Sequence, residues 1–156
     1  MSYEDRRPFF SVIVPTFNRE HHIGRCLESI VQQGRPDVQV LVVDNASVDR
    51  TVDISLSYCD RLNLEVLVNE SHCERSYSRN RGALHACGAF LVFLDSDDEL
   101  TPGALNRAAN FLKAHRECLF FFQRIRIVNE SGTTVYEPVI RSRYGMRKTL
   151  AEGNPL

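Results

Sequence analysis

The strongest constraint on this chain is a series of short, almost wholly apolar segments separated by amphipathic ones. The apolar segments are residues 9–18, 38–45, 62–69 and the run that starts at residue 90. Strands that are apolar on both faces are typical of a parallel sheet that helices cover on each side. The pattern therefore predicts an α/β fold, a Rossmann-like three-layer α/β/α sandwich with a mostly parallel central sheet.

Four helices are predicted between and after these strands. Their apolar positions are Ile23, Leu27, Ile30 and Val31 in the first, Val52, Leu56 and Cys59 in the second, and Leu105, Ala108, Ala109 and Leu112 in the fourth. Ser47 or Asp49 is the expected cap of the second helix, and the third lies around 78–87. Thr101 and Pro102 are expected to start the fourth. Residues 118–139 predict two strands joined at 129–132.

Composition limits the class of protein. With 156 residues, 43% of them hydrophobic, the chain has material for one core, so a single domain over 1–156 is expected. Lys and Arg number 19 against 20 Asp and Glu, which gives no general attraction to nucleic acid. Five scattered cysteines without a C-x-x-C pair favour a reduced, cytoplasmic location, and no secretion signal or membrane span is visible.

Polar residues follow each predicted strand. They are Thr16, Asn18 and Arg19; Asp44 and Asn45; Asn69 and Glu70; and Asp95, Asp97 and Asp98. Ligands of an open parallel sheet bind outside the carboxyl ends of its strands, so these groups predict one site. The alternative is that loops are simply polar. Against it, Asp44 and Asp95 end apolar strands, where an uncharged turn residue would avoid desolvating a charge.

The acidic run after residue 94 needs a partner. In an extended chain Asp95 and Asp97 would lie about 6.6 Å apart on one side, with a repulsion of about 2.5 kcal/mol at an effective dielectric near 20. Acids at the N-terminus of the fourth helix would explain Asp98 or Glu99, but not Asp95. Carboxylates are ligands that Mg²⁺ or Mn²⁺ selects, often shared with substrate phosphates. The run predicts a divalent metal and a phosphate.

Four motifs in order resemble glycosyltransferase family 2, which has the GT-A type fold with an Asp-X-Asp signature. They are "VIVPTFNRE", "VLVVDNASVDRT", "SRNRG" and "FLDSDDEL". The resemblance covers residues 9 to about 115. It implies a donor-binding half over 9–117 and the start of an acceptor-side half over 118–156, which is expected to be incomplete.

The resemblance also implies roles for individual residues. The residues expected to bind the nucleotide-sugar donor are Pro15, Thr16, Asn18, Asp44, Asn45, Arg79, Asn80, Asp95 and Ser96. Asp97 is expected to bind the metal directly, with Asp95 on the metal or its water shell. The family more often has a second acid where this chain has Asn45. Arg79 and Asn80 also have a plain interpretation as helix-surface residues.

The implied activity is transfer of a sugar from a nucleoside-diphosphate sugar to a sugar or lipid-linked acceptor, with inversion and with Mn²⁺ or Mg²⁺. The expected Asp or Glu base lies beyond residue 156, so the isolated chain is expected to lack it. An alternative is a non-catalytic module that binds the nucleotide sugar. Phosphatases that use Asp-X-Asp place it after the first strand, which here ends in "PTFN".

A basic stretch near the C-terminus bears on partners. Its residues are Arg124, Arg126, Arg141, Arg143, Arg147 and Lys148. A solvated basic face is one interpretation. Peripheral contact with an anionic acceptor, such as a lipid phosphate at the inner face of a membrane, is the other.

Overall fold

The structure, a computed structural model, describes residues 7–121, 125–129 and 131–137. The chain divides into two compact units, Met1–Ala114 and His115–Leu156. Among the described residues, no helix is both long and apolar enough to cross a membrane.

Four parallel strands form the sheet of the first unit. They are β1 (Phe10–Thr16), β2 (Val38–Asp44), β3 (Asn63–Val68) and β4 (Phe90–Phe93), in the spatial order β3-β2-β1-β4. β1 pairs with β2 along its whole length, from Phe10 opposite Val38 to Thr16 opposite Asp44. Because all strands point the same way, their carboxyl ends lie along one edge. The predicted parallel sheet is confirmed.

Helices cover both faces of the central strands β1 and β2, whereas Leu91 and Phe93 of β4 are exposed. The helices are α1 (Ile23–Val31), α2 (Thr51–Leu56), α3 (Arg75–His85) and α4 (Ala104–Ala114). α3 packs closely on the face that carries Ile13 and Val43, since a Cβ on Gly82 would lie 2.5 Å from Ile13 Cγ2. The opposite face, which carries Val12 and Val42, is also fully buried. We assign α1 and α4 to that face because their apolar stripes are buried.

The expected stripe of α2 is wrong at two of its three positions, since only Val52 is half-buried. The helix ends at Leu56, which is exposed, as is Cys59 beyond it. Its buried residues are Thr51 and Ser55. Their hydroxyls find partners nearby, with Ser55 Oγ donating to Thr51 O at 2.8 Å. The helix therefore buries satisfied hydroxyls, which a search for apolar periodicity does not detect.

Two other helix starts differ from prediction. α4 begins at Ala104 rather than at Thr101, because Gly103 adopts a positive φ of 71° and makes a turn before the helix. Its predicted stripe of Leu105, Ala108, Ala109 and Leu112 is buried as expected. α3 begins at Arg75, three residues before the expected start.

The second unit contains the predicted hairpin. β5 (Ile127–Val128) pairs antiparallel with β6 (Thr134–Tyr136). The turn closes where Gly132 N donates to Asn129 O at 2.9 Å. Of the basic stretch, Arg126 is described and exposed. Arg124 and every basic residue from Arg141 onward lie outside the described residues, as does the stretch at 152–156.

Candidate functional site

A cleft of about 810 Å³ opens at the carboxyl edge of the sheet. Its lining residues are Pro15, Thr16, Phe17, Arg19, Asn45, His72, Cys73, Glu74, Ser78, Arg79, Asp95, Ser96 and Asp97. Of the ten residues expected to bind the donor or the metal, seven are among them, namely Pro15, Thr16, Asn45, Arg79, Asp95, Ser96 and Asp97. The structure places three others outside the lining, namely Asn18, Asp44 and Asn80. The strand-end rule thus located the cleft, while individual side chains sorted differently.

The loop after β1 forms one wall of the cleft. Thr16 is buried, and its Oγ1 has no hydrogen-bond partner among the described residues, which is unusual for a buried hydroxyl. Phe17 is half-exposed, and its ring centroid lies 4.4 Å from that of His72. This aromatic pair was not among the predicted site residues. Phe17 follows a strand directly, which is a usable signal, but nothing in the sequence indicates that His72 faces it.

Asn18 and Asp44 stabilise a loop next to the cleft. Asn18, at a left-handed φ of 49°, accepts a hydrogen bond from Val48 N at 3.0 Å. Asp44 is fully buried, and its carboxylate accepts hydrogen bonds from Ser47 N at 2.8 Å and Ser47 Oγ at 2.5 Å. These bonds compensate the desolvated charge at the end of β2. Contact of either residue with a nucleotide stays a prediction.

Asn45 is the centre of a polar network that holds the adjoining wall, which carries His72. Its Nδ2 donates to Cys73 O at 2.8 Å and lies 3.1 Å from His72 Nδ1. Its Oδ1 accepts from Cys73 N and from Asn69 Nδ2, each at 2.9 Å. Asn69 Nδ2 also donates to Ser78 Oγ at 3.1 Å, which ties the network to α3. A carboxylate could not donate to Cys73 O, and this accounts for the amide here.

The residues after β4 form a turn rather than an extended chain. Asp98 N donates to Asp95 O at 2.9 Å, so the geometry assumed for Asp95 and Asp97 in an extended strand does not apply. Ser96 is buried between them, while both carboxylates are about half-exposed to the cleft, at 52% and 51% of the side chain. The two acids nevertheless line the same cavity, as expected.

Arginines neutralise three of the four acids in this turn. Arg79 on α3 pairs with Asp95 Oδ1, and Arg25 on α1 pairs with Glu99 Oε1. Arg19, in the loop after β1, places Nε 3.7 Å from Asp97 Oδ2. The partner of Glu99 is therefore a helix side chain and not the N-terminus of α4. The repulsion within the acidic run is relieved from three different elements of the fold.

The acidic turn shifts the ionisation of two nearby groups. Burial, and then the charges of Asp97 and Asp95, raise the pKa of Asp98 above its ordinary value. Burial, reinforced by the charges of the acidic turn, raises the pKa of the Cys26 thiol to about 12. Cys26 Sγ lies 3.7 Å from Asp95 O, directly beneath the turn. In both groups burial is the main cause of the shift, and the charges of the acidic turn add to it.

Arg79 reaches the cleft from α3, whereas Asn80 is exposed and lies away from the lining. Ser78 is buried against the Asn69 amide, and Gly82 faces the sheet on the same helix. The absence of a side chain at Gly82 lets α3 approach the sheet. This close approach brings Arg79 within reach of Asp95. The Ser-Arg-Asn-X-Gly stretch thus positions one cation at the site.

The donor set fits a divalent ion shared with a ligand. Among the described residues, no group of three His, Cys, Asp or Glu side chains could hold a metal alone. The cleft offers two half-exposed carboxylates, Asp95 and Asp97, on one turn. Mg²⁺ is usually bound through one or two carboxylates, with phosphates and water supplying the other ligands. The residues present match that mode.

Comparison with known proteins agrees with this geometry. TarS of Staphylococcus aureus, a poly(ribitol-phosphate) beta-N-acetylglucosaminyltransferase, is 39% identical over 126 residues, which are 79% of this chain and 22% of TarS. The structure of TarS 1-349 in complex with UDP-GlcNAc matches with a TM-score of 0.65 at 38% identity, over 69% of this chain and 32% of that one.

A second solved structure shares the fold. The mannosyltransferase PcManGT from Pyrobaculum calidifontis, in complex with GDP-Man and Mn²⁺, matches with a TM-score of 0.63 at 29% identity, over 68% of this chain and 32% of that one. The sheet and its helices are thus of the GT-A type. The profile of the family described as glycosyl transferase family 2 matches residues 11–154, a range that contains every residue of the cleft. The chain therefore belongs to glycosyltransferase family 2.

Proposed function

We propose that the cleft binds a nucleoside-diphosphate sugar together with Mn²⁺ or Mg²⁺, for transfer of the sugar to an acceptor hydroxyl with inversion. One observation carries the proposal. Two carboxylates and two arginines from separate elements, Asp95, Asp97, Arg19 and Arg79, line a single cleft beside an aromatic pair. The carboxylates complement a metal, the arginines complement a diphosphate, and the aromatic pair complements a nucleobase. The UDP-GlcNAc in the TarS complex and the GDP-Man and Mn²⁺ in the PcManGT complex support the same ligand class.

The aromatic wall suits the nucleobase. The rings of Phe17 and His72 offer an apolar face on which a base can stack, a contact worth about 1 to 3 kcal/mol. The unpartnered Thr16 hydroxyl lies on the same wall and can hydrogen-bond the nucleoside. Contacts of Asn18, Asp44 and Asn80 with the nucleotide remain part of the proposal. Each lies close in sequence to a lining residue, since Asn18 comes directly after Phe17, Asp44 directly before Asn45, and Asn80 directly after Arg79.

The charged floor of the cleft suits the diphosphate. Asp97 and Asp95 would hold the metal, which when bound supplies Lewis-acid stabilisation of the departing diphosphate. Arg19 and Arg79 are placed to bind phosphate oxygens, for which the guanidinium fork is well shaped. Transfer also requires a base for the proton of the acceptor hydroxyl. Neither Asp95 nor Asp97 is suited to this, because each would be occupied by metal or arginine.

The proposed acceptor is a sugar or a lipid-linked saccharide. No described residue is assigned to its binding. All five cysteines are free thiols, which supports the proposed cytoplasmic location. Contact of the basic stretch with the inner face of a membrane is proposed on charge alone.

A second candidate function is donor binding without transfer. It is favoured by the ion pairs of Asp95 and Asp97, because two carboxylates that are held in ion pairs are not placed to act as the general base. The third lining carboxylate, Glu74, belongs to the wall that carries His72 and is therefore placed for the nucleoside rather than for an acceptor. In this case the chain binds the donor and performs no transfer by itself.

A thermal-shift panel tests the proposal. UDP, GDP, dTDP and CDP are each added with Mn²⁺ and with EDTA. The expected result is a rise in Tm for one nucleotide, and only when Mn²⁺ is present. At a ligand concentration of 100 times Kd, the rise corresponds to a gain of about 2.7 kcal/mol in the free energy of unfolding. No rise with any nucleotide would contradict the proposal. A transfer assay with the donor thus identified then separates the enzyme from the binding module.

A further inference from the structure

We propose that Arg19 and Arg79 act as built-in counterions of the acidic turn, which the metal and the diphosphate displace together. The inference rests on the proposed function and adds a property to it. In this structure Arg79 pairs with Asp95, and Arg19 lies 3.7 Å from Asp97. When the ligands bind, the carboxylates pass to the metal and the guanidiniums to the phosphates. Metal and nucleotide therefore strengthen each other's binding.

The charges make this exchange balanced. Two arginines and two aspartates give the cleft no net charge from these four groups, and a divalent ion on the diphosphate of a nucleotide sugar, with its two negative charges, is also neutral. UDP carries about one further negative charge, on its terminal phosphate. Either ligand alone disturbs the balance. A metal alone displaces both arginines from the carboxylates without supplying the phosphates that they would bind instead, and a diphosphate alone leaves the two carboxylates exposed to each other. Bound together, the two ligands leave every charge paired.

The structure also holds both arginines where they can change partner. Arg19 N donates to Thr51 Oγ1 at 2.7 Å, which anchors its backbone to the start of α2. Arg79 is fixed on α3, whose close contact with the sheet depends on Gly82. In both residues the anchored part is the backbone, while the long side chain lines the cleft. Both ion pairs are partly exposed, so each is weak enough to exchange.

A matched control exists on the same turn. Arg25 pairs with Glu99, but neither residue lines the cleft. Arg25→Gln removes the same charge from the neighbourhood of the acidic turn without touching the exchanging pairs. It reports the general electrostatic effect of losing one cation there. Any additional effect of Arg19→Gln or Arg79→Gln belongs to the exchange.

The test measures the affinity for Mn²⁺ alone, by electron paramagnetic resonance of the free ion, and for UDP alone, by calorimetry. In Arg79→Gln and Arg19→Gln the affinity for Mn²⁺ alone is expected to rise about two- to fivefold, because a competing ion pair is gone. The affinity for UDP alone is expected to fall about tenfold or more, because a charged phosphate partner is gone. Loss of folding would lower both affinities, so the opposite signs are diagnostic.

The coupling between the ligands is the decisive quantity. It is the ratio of the UDP Kd without Mn²⁺ to that with saturating Mn²⁺, and linkage makes it equal for both ligands. It is expected to fall about two- to fivefold in either variant relative to Arg25→Gln. Arg79→Lys, which keeps the charge, is expected to retain the wild-type affinity for Mn²⁺ alone.

Three results would overturn the proposal. If the wild type binds UDP and Mn²⁺ together but the coupling is unchanged in both variants, the exchange of partners is refuted. The proposed function is then not affected. Equal effects in Arg25→Gln reduce it to general electrostatics. Wild-type protein that binds no nucleotide with Mn²⁺ contradicts the proposed function, and the exchange with it.

Discussion

Replacing Asn45 with aspartate should destabilise the wall of the cleft that carries His72 and Cys73. Asn45 is buried at 5% exposure and uses its amide as donor and acceptor at once. The donor side holds Cys73 O at 2.8 Å, and the acceptor side holds Cys73 N and Asn69 Nδ2. Asn45→Asp keeps the shape and the acceptors but removes both N–H donors. It also places a carboxylate oxygen against a carbonyl oxygen.

The cost can be estimated from these contacts. A buried acceptor left without a partner costs about 1 to 3 kcal/mol, and Cys73 O becomes one. The new carboxylate also lies next to the buried charge of Asp44, and desolvating it adds to the penalty. A total of about 2 to 4 kcal/mol follows. With a urea m-value of about 2 kcal/mol/M, the midpoint of unfolding should fall by roughly 1 to 2 M.

Urea unfolding followed by circular dichroism measures this shift. The matched control is Asn63→Asp, the same chemical change on an exposed residue of β3, which is expected to alter stability by no more than about 0.5 kcal/mol. If Asn45→Asp unfolds at the same urea concentration as Asn63→Asp, the network does not hold the wall as argued. The amide at position 45 would then have no structural explanation.

Two further changes test the packing and the charge of the same region. Gly82→Ala should destabilise the protein by about 1 to 3 kcal/mol in urea unfolding, because the added Cβ would lie 2.5 Å from Ile13 Cγ2, although alanine favours helix; equal or greater stability would refute the close approach. Asp98→Asn should stabilise the ligand-free protein by a few tenths of a kcal/mol at pH 7, since burial and neighbouring charges raise the pKa of Asp98 and so penalise its ionised form. That gain should vanish as the pH falls and Asp98 is protonated in both folded and unfolded states; a gain that persists at low pH would exclude the charge as its cause.

The sheet was predictable because hydrophobic burial in a parallel sheet leaves a direct trace in the sequence. β1 and β2 are apolar on both faces and were found with small shifts at their ends. α4 was found because its stripe is apolar, although its start was misplaced by the turn at Gly103. α2 differs from its predicted apolar stripe because it buries Thr51 and Ser55, which resemble exposed polar residues in a sequence. Their hydroxyls are satisfied locally, by donating to Asp49 Oδ1 and to Thr51 O respectively.

The position of the site was predictable, but its pairings were not. Parallel strands bring their carboxyl ends together, so Thr16, Asn45 and Asp95 could be placed at one cleft from the sequence. The pairing of Arg79 with Asp95 depends on how closely α3 packs. The contact of Phe17 with His72 joins residues far apart in the chain. Such contacts depend on tertiary geometry, which no local pattern encodes.

The most direct test of the account compares two neighbouring acids of the same turn. Asp97 lines the cleft and Asp98 does not. UDP is titrated calorimetrically into the wild type, Asp97→Asn and Asp98→Asn, each with Mn²⁺ and with EDTA. We predict that Mn²⁺ raises the affinity for UDP in the wild type and in Asp98→Asn, and that Asp97→Asn loses this gain. If Asp97→Asn still gains affinity from Mn²⁺ as the wild type does, the acidic turn does not hold the metal and the account is contradicted.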